Sequence, residues 1–537
     1  MKKNETFTGI AEGYTYDGAG VVKTDGFVFF VPGLIAGEEA ELAVTAMKKT
    51  YGYARIVRIL KKSPHRVQPG CSSYRLCGGC QIMHMDHEEQ KRFKEDKVKG
   101  CFLQNADMDI TPLPILYSEE QTNYRNKVQV PVQLEKGRVL MGFYQNHTNR
   151  IIESDSCLVQ TELSNRVTKR LKQWLSDLKC ANVFRHVLIR HAHNSGQLMI
   201  CMIVREYPFN NSDKLVEKLR REFPEAVSIL AIVNRRSDNV ILDGKEYVLY
   251  GKPYIEEQLL DCTFRISARS FYQINPTATE ILYRKAIEYA QLTGNETVID
   301  LYCGTGTIGI LASRHARQVY GIEIVEDAVK DAELNARINH ADNIEFFAAD
   351  ANAGAQILIK RNIKPDVVIV DPPRKGCSKD TLNAIIKMSP KRLVYVSCDP
   401  ATLARDCAYM RENGYEVRDI QPTDMFPGTV HVETCVLLVH QKSTEYFTVE
   451  YSPPNSSYME KLPASATYRE IQEWIAEHYD GMKVSNLYIA QVKQKHGIIE
   501  RENYNKPKKE GGRVPKVTPE KEKAIEAALK HFKLIEN

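Results

Sequence analysis

The chain of 537 residues carries 73 Lys and Arg against 68 Asp and Glu, with 43% hydrophobic and 26% charged positions. This excludes disordered and collagen-like classes and suits roughly three or four domains. Met1 to Thr6 contains no apolar segment and no later apolar run approaches the roughly 18 residues of a membrane span, so a soluble cytoplasmic protein without membrane contact is expected.

Residues 1–61 read as a small β-barrel. Turn chemistry at Asp17-Gly18, Asp25-Gly26 and Pro32-Gly33 separates short strands, including the alternating Phe27 to Val31. No acid occurs from Leu42 to Met85, whereas Lys48, Lys49, Arg55, Arg58, Lys61, Lys62, Arg66 and Arg75 do. That asymmetry suits an RNA-binding barrel face, with an ordinary solvated face as the alternative.

Residues 62–268 are expected to form an α+β domain, with strands at Val187 to Ile189, Leu198 to Val204 and Ile229 to Val233 and a helix near Asp213 to Phe223. Thirteen cysteines without a secretory segment point to thiols, metal ligands or a nucleophile rather than disulfides. Cys71, Cys77 and Cys80 lie close together, with Cys157 77 residues further on. Three local cysteines and one remote favour an iron–sulfur cluster, with zinc and unligated thiols as alternatives.

Residues 269–442 show the doubly wound α/β alternation. The strand Val298 to Leu301 runs into Tyr302-Cys303-Gly304-Thr305-Gly306 and a helix, and a second strand ends in Glu323, 17 residues beyond Gly306. A third strand ends in Asp371-Pro372-Pro373. These strand ends, without a phosphate loop, suit S-adenosylmethionine better than a nucleotide. A fourth strand ends in Ser397-Cys398-Asp399-Pro400, placing Cys398 at a helix N-terminus that would favour a thiolate. Arg374 follows the Pro-Pro pair where amine methyltransferases carry a stacking aromatic. A weakly nucleophilic pyrimidine carbon 5 needs a thiolate at carbon 6 and a base for its own proton; Cys398 and Glu433 are the candidates.

Residues 443–466 have linker composition, and 467–537 read as a helix-turn-helix-like appendage. Its helices start at Thr467, Ser485 and Pro519.

Cys-x5-Cys-Gly-Gly-Cys, Ser270-Phe-Tyr-Gln273-Ile-Asn275, Asp300-Leu-Tyr-Cys-Gly-Thr-Gly-Thr, Asp371-Pro-Pro-Arg-Lys-Gly, Ser397-Cys-Asp-Pro and Asp424-Met-Phe-Pro-Gly-Thr-x-His-Val-Glu433 together closely resemble the RNA uracil-5 methyltransferase family. The resemblance is to its bacterial 23S rRNA branch, with a TRAM barrel and a 4Fe–4S cluster, and covers about residues 5–441. It implies an RNA (uracil-5-)-methyltransferase whose Cys71, Cys77, Cys80 and Cys157 hold the cluster. Gln273, Tyr302, Glu323 and Asp371 would contact S-adenosylmethionine, with Cys398 as nucleophile and Glu433 as base. Thr307 stands where some members carry Asn. The transfer RNA branch typically lacks barrel and cluster, so 23S rRNA is the expected partner of a monomer. The alternatives are a cytosine-5 RNA methyltransferase and an iron–sulfur RNA-binding protein without activity.

Overall fold

The computed structural model describes residues 1–24, 26–146, 148–154, 156–441, 468–496, 517–532 and 534. The expected linker, and the basic run with Lys506, Lys508, Lys509, Arg513 and Lys516, lie outside them. The chain divides into two compact units, 1–445 and 446–537.

Five strands form a closed barrel in the order β1-β2-β3-β5-β4: β1 (Thr6–Tyr14), β2 (Gly20–Thr24), β3 (Phe27–Val31), β4 (Glu39–Met47) and β5 (Tyr51–Lys61). Their period-2 alternation turns Val22, Phe29, Val31, Leu42, Val44 and Ala54 into one small core. The Glu38 carboxylate closes the barrel's base. It accepts from the Arg66 guanidinium and from the N–H groups of Ile35 (3.0 Å) and Ser63 (3.2 Å). Burial pushes its pKa up, but these donors outweigh burial and hold it below the usual value.

Helix α1 (His87–Ala106) follows, capped by Asp86, whose carboxylate accepts from the Glu89 N–H (2.9 Å). After the short strand β6 (Leu116–Tyr117) come β7 (Lys127–Glu135), β8 (Arg138–Tyr144), β9 (Ile151–Glu153), α2 (Glu162–Asp177), β10 (Phe184–His191), β11 (Leu198–Val204), α3 (Ser212–Glu222), β12 (Ala226–Val233) and β13 (Lys245–Gly251). The strands form a seven-stranded sheet, β13-β12-β11-β10-β7-β8-β9. The hairpin of β14 (Tyr254–Leu259) and β15 (Cys262–Ser267) adjoins it.

The third layer contains α4 (Pro276–Ala290), β16 (Thr297–Leu301), α5 (Thr307–Ser313), β17 (Gln318–Glu323), α6 (Glu326–Ile338), β18 (Ile344–Ala348), α7 (Ala351–Lys360) and β19 (Val367–Val370). It ends with α8 (Lys379–Met388), β20 (Arg392–Ser397), α9 (Pro400–Glu412), β21 (Tyr415–Asp424) and β22 (Glu433–His440). Its sheet runs β18-β17-β16-β19-β20-β22-β21-β6, and β22 is antiparallel to β20. Apolar clusters cover both faces: Leu282, Ala286 and Ile310 lie on one, and Leu382, Leu403, Val98 and Phe102 on the other. Val98 and Phe102 belong to α1, and β6 pairs with the end of β21, so this layer draws on residues far upstream of 269.

The second unit packs α10 (Tyr468–His478), α11 (Asn486–Lys495) and α12 (Pro519–His531) around Ile471, Ile475, Ile489, Val492, Ile525 and Leu529. Ser485 caps α11 and Pro519 occupies the first turn of α12.

Candidate active site and cysteine-lined cavity

The parallel strands of the third layer end on one edge, where open α/β sheets bind ligands. After β16 the backbone takes positive φ at Tyr302 (65°), Gly304 (55°) and Gly306 (81°) before α5 begins. A Cβ on Gly306 would meet the Phe346 ring at 3.0 Å, whereas one on Gly304 would meet nothing within 4 Å, so the space over Gly304 is open. Glu323, at the end of β17, accepts from the N–H groups of Gly304 (3.1 Å) and Val325 (2.9 Å). Asp300 accepts from the Gly309 N–H (2.8 Å) and leaves its other oxygen buried without a partner. Burial, then the charges of Asp371 and Glu323, pushes its pKa up to about 8. Burial also pushes Asp371 up to about 7.

Tyr283 of α4 is buried beside Asp371, and its hydroxyl meets the side chains of Thr307 and Gln273. The cap of α4 is Asn275, which accepts from the Ala278 N–H (3.2 Å); Gln273 is thereby free of that duty. The Tyr302 phenol reaches Thr381 and Cys377 instead.

Cys398 follows β20 directly. Ser397 pairs with Thr434 in the antiparallel ladder, so one further step sets Cys398 opposite Glu433. Asp399 caps α9, accepting from the Ala401 (3.0 Å) and Thr402 (3.2 Å) N–H groups. Burial, then the charges of Glu433 and Asp371, pushes the Cys398 thiol up to about 11, and the Arg374 guanidinium beside it pulls the other way. The thiolate expected from the helix N-terminus is therefore not the resting state, because desolvation and two carboxyls outweigh the helix end. Glu433 is 3% exposed, and burial followed by Asp371 raises its pKa to about 8, again opposed by Arg374. Arg374 also contacts His431 Nδ1 (3.3 Å).

The loop from Asp424 to Glu433 is gripped from two sides. From α1, Lys94 reaches the Asp424 carboxylate and the Phe426 carbonyl (3.1 Å), Gln90 accepts from the Gly428 N–H (2.7 Å), and Lys97 donates to the Val430 carbonyl (2.7 Å). From the cysteine-bearing loop, the Gln81 and Ile82 N–H groups donate to the Gly428 carbonyl (3.2 and 3.1 Å). Tyr124 donates to the Pro427 carbonyl (3.1 Å).

Cys71, Cys77, Cys80 and Cys157 line one cavity of about 280 Å³, with Met83, Tyr124, Val128, Phe143 and Leu158 among its walls. Burial, then the other three thiols, raises Cys80 to about 12. Among the described residues no group of three or more His, Cys, Asp or Glu is arranged to hold a single metal ion.

The family model for tRNA (Uracil-5-)-methyltransferase matches residues 86–441. An uncharacterised RNA methyltransferase of Clostridium tetani is 41% identical over 448 residues, 82% of this chain and 97% of that protein. The chain belongs to the RNA uracil-5 methyltransferase family. Another uncharacterised RNA methyltransferase, from Halalkalibacterium halodurans, is 40% identical over 447 residues, 82% of this chain and 98% of its own. A solved structure covers 80% of this chain and 99% of its own, with 28% identity and a TM-score of 0.64. It is the Pyrococcus abyssi tRNA (uracil-54, C5)-methyltransferase in complex with S-adenosyl-L-homocysteine. This RNA (uracil-5-)-methyltransferase thus transfers a methyl group from S-adenosylmethionine to carbon 5 of a uracil in RNA. The cytosine-5 and inactive alternatives lose their basis.

The methyltransferase site brings Arg374 and Asp371 each to bear on Cys398 and Glu433, and sets Gln273 near Asp371 through Tyr283. Tyr283, Arg374 and Asp300 were not among the expected site residues. Asp300 and Arg374 stood inside the family motifs, whereas Tyr283 reads as one more apolar position of a helix and carries no signal in the sequence.

Proposed function

We propose that the RNA is 23S rRNA, that the reaction runs through a covalent adduct on Cys398, and that Cys71, Cys77, Cys80 and Cys157 hold a 4Fe–4S cluster. The observation that carries the chemistry is Cys398 set opposite Glu433 by the ladder register, with Arg374 acting on both.

Gln273, Tyr302, Glu323 and Asp371 bind S-adenosylmethionine, which supplies an electrophilic methyl group. The open space over Gly304 and the unpartnered oxygen of Asp300 suit a polar ligand there. Arg374, beside the Cys398 sulfur, offsets the repulsion of Glu433 and Asp371 and stabilises the thiolate once the thiol, like the Glu433 carboxyl, has released its proton to solvent. That thiolate adds to carbon 6 of the uracil and makes carbon 5 enolate-like. Once carbon 5 is methylated, Glu433, ionised and facing the adduct, removes the carbon 5 proton and Cys398 leaves as thiolate. The base must be unstacked for both ring carbons to be reached.

Four thiols around one largely apolar cavity suit a cluster, which the spacing of three local cysteines and one remote favours over zinc. Methyl transfer needs no electron, so the four cysteines serve structure and tie Cys157 to the loop of Cys71 to Cys80. The Pyrococcus abyssi tRNA (uracil-54, C5)-methyltransferase covers 80% of this chain, so barrel and cysteine loop do not separate the two RNAs; the preference for ribosomal RNA rests on the motif resemblance to the 23S rRNA branch.

Nucleosides from 23S rRNA and transfer RNA of a gene-deletion strain test the assignment by mass spectrometry. Loss of 5-methyluridine from 23S rRNA is expected. Its loss from transfer RNA alone would move the substrate there, and unchanged nucleosides in both would refute the reading.

A further inference from the structure

The barrel carries aromatic rings that its core does not use. Phe30 on β3 and Tyr51 and Tyr53 on β5 alternate with the buried Phe29, Val31, Gly52 and Ala54, so they stand on the outer face. β3 and β5 pair in parallel with Phe30 opposite Tyr53. The ring centroids lie 5.4 Å (Phe30–Tyr51), 5.9 Å (Phe30–Tyr53) and 5.7 Å (Tyr51–Tyr53) apart. Lys48, Lys49 and Arg55 are exposed beside them.

This face continues toward the nucleophile. Val21 of β2 lies opposite Phe30, so the turn that enters β2 at this end of the barrel carries Asp17. Its neighbour Tyr16, in the turn between β1 and β2, is 48% exposed. The Lys97 ammonium sits 3.6 Å from the centre of the Tyr16 ring. The same Lys97 donates to the Val430 carbonyl (2.7 Å), in the loop that ends at Glu433. One domain thus contributes a ring to the rim of another domain's active site.

We propose that Phe30, Tyr51, Tyr53 and Tyr16 form a stacking track that holds the single-stranded nucleotides flanking the target uridine while that uridine reaches Cys398. The inference rests on the uracil-methylating reading and adds where the flanking strand runs. Three observations select unpaired RNA as the occupant. Flat rings offer every base a π-face without choosing among them. The flanking cations match phosphates. The track ends where a base must arrive already unstacked.

The test uses the full chain and a fluorescent oligouridylate of about twelve nucleotides, within the span such barrels cover. Tyr16→Ala and Tyr53→Ala should each weaken binding by about tenfold, whereas Tyr16→Phe and Tyr53→Phe, which keep the ring, should stay within about twofold of wild type. Cross-linking with 5-bromouridine in the same oligonucleotide should map to Tyr16 and Tyr53. Alanine variants that bind like wild type, or cross-links that map elsewhere, would overturn the track. Calorimetry with S-adenosylmethionine identifies any variant that has lost its fold, in which case the cross-links decide. Adduct formation by the wild type with 23S rRNA is followed separately. Its presence alongside unaffected alanine variants rejects the track alone, and its absence rejects the reading of the activity.

Discussion

Cys398 and Glu433 both hold their protons at neutral pH, and both must lose them to act, the one as nucleophile and the other as base. The sign is the same for each, so kcat/KM should rise with pH. Its logarithm should climb with a slope of about one, because thiolate attack precedes methyl transfer and proton removal by Glu433 follows it, so each step needs one ionisation. A flat profile between pH 6 and 8 would contradict the pairing. Cys398→Ala should abolish turnover and any RNA adduct. Glu433→Gln should lower kcat by roughly 10² to 10⁴ and let the methylated adduct accumulate on denaturing gels, because elimination stalls without proton removal. Asp300 leads to a stability prediction. Its folded pKa of about 8 lies above the ordinary 3.8, so the folded state keeps a proton that the unfolded chain has released. The stability it contributes is present at low pH and is lost as pH rises toward 8. Thermal unfolding of Asp300→Asn should accordingly fall less between pH 5 and pH 8 than that of the wild type.

Among the elements, α1 was the least legible. Its buried face carries Glu89, Gln90 and Lys94 beside Phe93, Val98 and Phe102, so polar side chains break the apolar stripe that announces a helix. Those polar residues are buried because they serve the Asp424 to Glu433 loop and the barrel, a duty only the fold discloses. β6, two residues long, is set by β21 rather than by its own sequence. The strands and turns of the methyltransferase layer were readable because buried parallel strands are continuous apolar runs that end in glycine or acid. The motif residues could be named, whereas the meeting of Tyr283 with Gln273 and Thr307 required the tertiary packing. On the cysteine loop, Gln81 donates its N–H to Gly428, and its side-chain amide donates to Gly78 (3.0 Å) and accepts from the Val430 N–H (3.4 Å). Gln81→Ala should therefore lower kcat with little change in KM for RNA, by roughly tenfold if one or two of these bonds are broken at about 1 kcal/mol each. Protein purified without oxygen should be brown, with about four irons per chain. Cys71→Ser and Cys157→Ser should lose colour and soluble yield; one zinc in a colourless protein would refute the cluster.

At the scale of the whole molecule, the barrel is not a detachable module. Tyr14 and Ile35 share an apolar cluster with Ile82, Met85, Phe93 and Val430, so deleting residues 1–61 would expose that cluster as well as remove cations. Charge reversal at Lys48, Lys49 and Arg55 is the cleaner measurement. For every phosphate that a reversed side chain no longer neutralises, the slope of log affinity against log salt should shrink by roughly 0.7 to 0.9, with S-adenosylmethionine binding unchanged. Equal slopes would make the acid-free stretch a merely solvated face. Lys94 and its partner Asp424 are 330 residues apart in the chain. A ribosome adding about 5 to 20 residues per second delivers the second roughly 15 to 70 seconds after the first. Until α9 and β21 emerge late in that interval, Val98 and Phe102 lack the elements that α1 packs against, so the nascent N-terminal half must be shielded from aggregation until its own C-terminal strands arrive.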